Sequence, residues 1–192
     1  MSEAGVGNQE RKHLKTIWKL VLSMACPLSI VISCRDQGNE VRATVPISSD
    51  SELFRHITQI DPFSSYLLFP RADSITSGTL NGSTAHQPLV SVRINGKASG
   101  VLQNGRFPEG SVFPEGSVIF KQIISGGQTT LYAVMYKDSK NPLAGNGWLW
   151  AEFQPDGTSH ISLTRKGAGC MACHSREQGP QHDLVRTFER QR

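Results

Sequence analysis

Near the end of a 192-residue chain, the stretch "KGAGCMACHSREQGP" sets Cys170, Cys173 and His174 at Cys-x-x-Cys-His spacing. Two thiols followed directly by an imidazole suit covalent haem attachment. Each thiol adds across one porphyrin vinyl group, and the histidine then reaches the iron. A thioredoxin-like pair would lie early, after a strand of a βαβ unit, whereas this pair lies near the C-terminal end. A zinc site would want a fourth ligand, and only His182 follows. The spacing therefore predicts one haem c, with Cys170 and Cys173 as thioether anchors and His174 as the axial ligand to iron.

The sixth iron position decides what such a haem does. Met171 lies between the anchors and cannot reach the opposite face. That leaves Met135 in "LYAVMYKD" and His56, His86, His160 and His182. Met135 alternates with Ala133 along a β-like run, which predicts a packed core side chain. His160 follows the turn "QPDGTS", which predicts a solvated strand edge. An open distal site results, and open iron binds small ligands. The competing reading is an electron carrier with Met135 as sixth ligand.

The N-terminus has the layout of a secretory signal. A basic stretch, "RKHLKTIWK", precedes the apolar run "LVLSMACPLSIVI", which falls short of the roughly 20 residues that span a bilayer. Residues 1–33 are read as this signal and residues 34–50 as a polar spacer. Cys34 follows "VIS" and opens a polar segment, an arrangement like a bacterial lipobox. It is either a lipidated membrane anchor or an incidental cysteine. Export to the periplasm or cell envelope agrees with haem attachment outside the cytoplasm. It also agrees with a cysteine count too low for a disulfide framework.

Charge argues against nucleic acid as a partner. The formal net charge is +4, but Arg11, Lys12, Lys15 and Lys19 belong to the signal. Removing them with Glu3 and Glu10 leaves 16 basic residues against 14 acidic, with no basic cluster.

The elements that must position the motif read as short strands. "DSELFRHITQI" has apolar residues at helical spacing, with Asp50 or Ser51 as N-cap. "PLVSVRING", "GSVIFKQIIS" and "TTLYAVMYKD" alternate as strands, and "GWLWAEFQPDGTSHISLT" reads as a hairpin closed by "PDG". A further helix is expected around the haem motif. The class is α+β, a mainly antiparallel sheet of about five strands with a few helices, in one domain over residues 51–192. The hexapeptide "FPEGSV" occurs at 107–112 and again at 113–118. The second copy runs into "IFKQII" and should start the strand, leaving the first as a loop insertion.

Five segments resemble the cytochrome P-460 family, which includes the cytochromes c′-beta. They are "RINGKA", "FPEGSVIFKQI", "LYAVMYKD", "GNGWLWAEFQPDG" and "GAGCMACHSREQGPQHDLV", in the family's order. The resemblance implies a β-sheet haem domain, usually a homodimer, with one c-type haem that is five-coordinate or carries a distal water. In cytochromes P-460 a strand lysine is bonded to the porphyrin rim, and the matching residue is Lys121. The hydroxylamine-oxidising members place a glutamate over the iron. That position falls at or near Ala133, so the acid is expected to be absent here. In the c′-beta branch aromatic side chains cap the distal pocket, for which Phe63, Phe69, Phe107 and Phe113 are the candidates.

The leading expectation is therefore an exported monohaem protein binding nitric oxide or a related small nitrogen species in a pocket near Ala133 and Met135. A hydroxylamine-oxidising enzyme with a Lys121-linked haem is the alternative, and a periplasmic carrier with a redox partner is the third.

Overall fold

Alternation of apolar and polar residues from Leu89 to Ile161 produces one antiparallel sheet. The computed structural model describes residues 46–80, 83–176 and 183–186. The signal segment, Cys34, nearly all of the spacer and His182 lie outside them.

In chain order the elements are α1 (Asp50–Arg55), β1 (Leu67–Leu68), β2 (Thr76–Ser77), β3 (Leu89–Ile94), α2 (Gly96–Ser99), β4 (Val118–Ser125), β5 (Gln128–Lys137), β6 (Trp148–Phe153), β7 (Ser159–Ile161) and α3 (Cys170–His174). The strands are ordered β1-β3-β4-β5-β6-β7, and β2 pairs with β3. The five strands expected from sequence are all present. The two additional ones, β1 and β2, have two residues each, too few to display an alternation.

The helix expected in "DSELFRHITQI" forms and continues as a π-helical turn over His56–Ile60. Its cap is Ser49, whose side chain accepts from the Glu52 amide, rather than Asp50 or Ser51. Asp50 instead accepts from the Leu163 amide at 2.8 Å, tying α1 to the segment that leads into the Cys-x-x-Cys-His motif.

Both faces of the sheet are covered. Val118, Phe120, Val134, Leu149 and Phe153 face α1 and the turn after it, where Leu53 and Ile57 respectively are fully buried. The opposite face carries Val90, Val92, Ile94, Ile119, Ile123, Met135, Trp148 and Trp150. The repeated hexapeptide closes this second core. β4 begins at Val118 of the second copy, as expected. The first copy contributes more than a loop: Phe107 and Phe113 are both buried and meet edge to face, with centroids 5.0 Å apart. The copies diverge at their last residue, where Val118 is 0% exposed and Val112 72%.

Candidate functional site

The second face continues past its apolar core into a cavity of about 220 Å³. Strand register sets its floor. Lys121 pairs with Ala133, and Ala133 with Glu152. One pleat along, Ile119 pairs with Met135, and Met135 with Trp150. Because side chains alternate along each strand, both rows point to one face. A register shift at Glu152/Phe153 ends the regular pairing with β7 beside this spot.

The wall is the Cys-x-x-Cys-His segment itself. A short 3₁₀ turn, Leu163–Arg165, ends at Lys166 with φ 48°, and Gly167 and Gly169 follow at φ 74° and 88°. These left-handed positions reverse the chain into α3. Gly167 sits so close to Trp150 that a Cβ there would lie 2.5 Å from the indole Cδ1. Cys170, Cys173, His174, Lys121, Ala133 and Met135 all line the same cavity. Residues up to 53 positions apart in the chain are thus brought together.

His174 is held from two sides. Its Nδ1 lies 2.6 Å from the Leu184 carbonyl oxygen, so that nitrogen carries the proton and Nε2 is left to bind a metal. Its ring meets Trp150 edge to face at 4.8 Å, and Trp150 is itself fixed by donating Nε1–H to the Gly145 carbonyl at 2.9 Å. Burial, helped by the charge on Lys121, holds the imidazole pKa down to about 3. The ring is therefore neutral, the form that ligates a metal.

The two thiols differ. Burial, with Glu152 adding to it, pushes Cys170 up. Burial also acts on Cys173, but the Ser83 hydroxyl at 3.3 Å and the Arg186 guanidinium at 3.1 Å outweigh it and bring that thiol down.

A polar cluster shares the cavity. Lys121 Nζ lies 3.1 Å from His86 Nδ1, and His86 Nε2 lies 3.2 Å from Glu152 Oε1. His160 stands 4.0 Å from the other Glu152 oxygen, with its side chain 53% exposed, which agrees with a strand-edge residue.

Two expectations change. An acid does face the cavity: Glu152 supplies it from β6, directly across from the alanine on β5. None of Phe63, Phe69, Phe107 and Phe113 lines the cavity. Phe63 stacks on Phe120 at 4.4 Å on the other face, while the remaining three pack in the core beside Trp148. Met135 is both core and cavity: it is buried among Ile119, Trp148 and Trp150 and still lines the pocket.

Glu152, Trp150 and Arg186 were missed as site residues. A signal for the first two was present, since "WLWAEF" alternates Trp148, Trp150 and Glu152 onto one face. Arg186 carried no such signal.

The family model for cytochrome P460 matches residues 74–187, more than half of the chain. The chain belongs to the cytochrome P460 family. No curated protein matches it. Membership makes this cytochrome P460 relative a haem protein, and the cavity suits the group. Two thiols and a neutral imidazole line one wall, and Ile119, Ala133, Met135 and Trp150 form a largely apolar floor. The match begins at residue 74, so α1 and β1 lie outside it.

Proposed function

We propose that this is an exported c-type monohaem protein that binds nitric oxide or a related small nitrogen species on the haem face opposite His174. Cys170 and Cys173 would hold the haem as thioethers, each by adding S–H across a vinyl group, which needs no oxidant. His174 Nε2 would ligate the iron. Bound there, the haem would supply an iron that exchanges one electron and accepts a small ligand.

The observation that carries this reading is the engagement of the competing ligands. Both ring nitrogens of His86 are taken, by Lys121 and Glu152. Met135 is buried and is the cross-strand neighbour of Trp150, the residue that packs against His174. His86 is thus engaged on both nitrogens and Met135 is packed on the side of Trp150 and His174, which favours ligand binding over electron carriage. Titrating the reduced protein with nitric oxide while following its absorption tests this. A high-spin spectrum that converts on binding is expected. A low-spin spectrum abolished by Met135→Ala would overturn the reading in favour of the carrier.

Glu152 favours one second reading, hydroxylamine oxidation. A carboxylate in the cavity wall can accept the protons that such a substrate loses on oxidation.

The proposal extends to the cell. Export, lipid attachment through Cys34 and a homodimer complete it, with a periplasmic redox partner to reduce the iron. Exposed Leu67, Leu68, Ile75 and Leu89 on or beside β1–β3 support a second copy as partner. Sedimentation of the exported protein and its intact mass test these points.

A further inference from the structure

The last described segment takes an unfavourable path. Asp183 and Leu184 both lie in the left-handed region, at φ 53° and 67°. Leucine gains nothing there, and such conformations persist where surrounding contacts over-determine them. Those contacts converge on Asp183. Its carboxylate accepts from Lys137 Nζ at 2.8 Å through each oxygen, and from the Phe113 amide at 3.1 Å. Trp148 Nε1 donates to its carbonyl at 2.9 Å. Lys137 is 7% exposed and lies 4.9 Å from the Trp148 ring centroid. An ion pair anchored on β5 and β6, its lysine buried and its aspartate half-buried, thus fixes the residue immediately before Leu184. The Leu184 carbonyl is the group that accepts from His174 Nδ1.

We propose that the Lys137–Asp183 pair is a positioning device for His174. It holds Leu184 in the backbone conformation that aims its carbonyl at Nδ1, and so sets how strongly the imidazole donates to haem iron. The inference rests on His174 being the axial ligand. An acceptor on Nδ1–H draws the proton outward and makes Nε2 a stronger donor. Stronger donation favours the ferric state and tightens the iron–histidine bond. Neither Lys137 nor Asp183 needs to touch the haem to do this.

The test uses the full haem-loaded chain with Asp183→Asn, and separately Lys137→Gln. Intact mass first establishes that haem is covalently bound. The iron–histidine stretch of the reduced protein and the reduction potential are then measured. Both variants should keep their haem, shift the stretch to lower wavenumber and raise the potential. An unchanged stretch and potential would overturn the proposal, even with a lower unfolding temperature, because the pair would then be only structural. If neither variant folds, the wild-type protein decides: the Nδ1–H proton resonance should exchange slowly with solvent, and immediate exchange would overturn the proposal. Wild-type protein without covalent haem would instead overturn the haem reading beneath it.

Discussion

Lys121 Nζ lies 3.1 Å from His86 Nδ1, linking the centre of the sheet to the loop that follows β2. His86 in turn reaches Glu152 through Nε2. Donation from Lys121 Nζ to Nδ1 and from Nε2–H to the Glu152 carboxylate satisfies all three side chains with one His86 tautomer. A nitrogen engaged by His86 has a competing partner to any bond with a porphyrin carbon.

The expected outcome is therefore that Lys121 is not linked to haem. Trypsin should cleave after Lys121 in the denatured haem protein, and the Soret band of the reduced form should lie where ordinary high-spin haem c absorbs. Resistance at Lys121 together with a strongly red-shifted Soret would show the bond and move the balance to hydroxylamine oxidation.

Glu152 separates the same two readings by kinetics. If the cavity oxidises hydroxylamine, Glu152→Gln keeps the shape and hydrogen-bonding reach but removes the proton acceptor. Turnover should then fall by about 10²–10⁴-fold, the usual contribution of a positioned acid or base. If the protein only binds nitrogen ligands, steady-state turnover is absent before and after the substitution. Nitric oxide affinity should then change little, because the ligand carries no proton to relay.

The sheet was largely legible in the sequence, because β3 to β7 alternate and are bounded by Pro-Glu-Gly, Gly-Gly and Pro-Asp-Gly turns. The Cys-x-x-Cys-His motif was legible for a different reason: its two thiols and imidazole lie inside five residues. What could not be read was adjacency across strands. Glu152 stands beside Ala133 only because β5 and β6 pair in one register, and nothing in either segment fixes that register alone. An acid beside Ala133 is therefore not visible along β5, because it comes from the neighbouring strand. The Asp183–Leu184 turn was hidden for a similar reason, since its conformation is imposed by Lys137, 46 positions earlier.

Gly167 should prove intolerant of a side chain. Its φ of 74° is unfavourable for alanine, and the new Cβ would meet the buried Trp150 indole at 2.5 Å. Conformational strain and overpacking together predict that Gly167→Ala loses about 2–5 kcal/mol. Gly126→Ala is the control. It has φ 59° but no atom within 4 Å of its Cβ, so only the conformational part, about 1 kcal/mol, applies. Urea unfolding of both variants measures the difference. Equal losses would show that the Trp150 contact relaxes freely.

His56 predicts how stability responds to acid. It packs edge to face on Tyr136 at 5.1 Å, in the turn that follows α1. Burial lowers its pKa below the ordinary 6.5, with Arg55 and Lys97 adding to the effect and Asp61 opposing it. The unfolded chain therefore binds a proton at a higher pH than the folded one. Above about pH 6.5 both forms are neutral and this histidine's contribution is intact. As the pH drops through 6.5 towards the lowered folded value, protonation favours the unfolded chain and stability is lost progressively. His56→Phe keeps an aromatic ring against Tyr136 and removes the proton. Unfolding temperatures of the variant should fall less steeply than wild type over this window and coincide in slope above it. Parallel curves throughout would show that the acid sensitivity arises elsewhere.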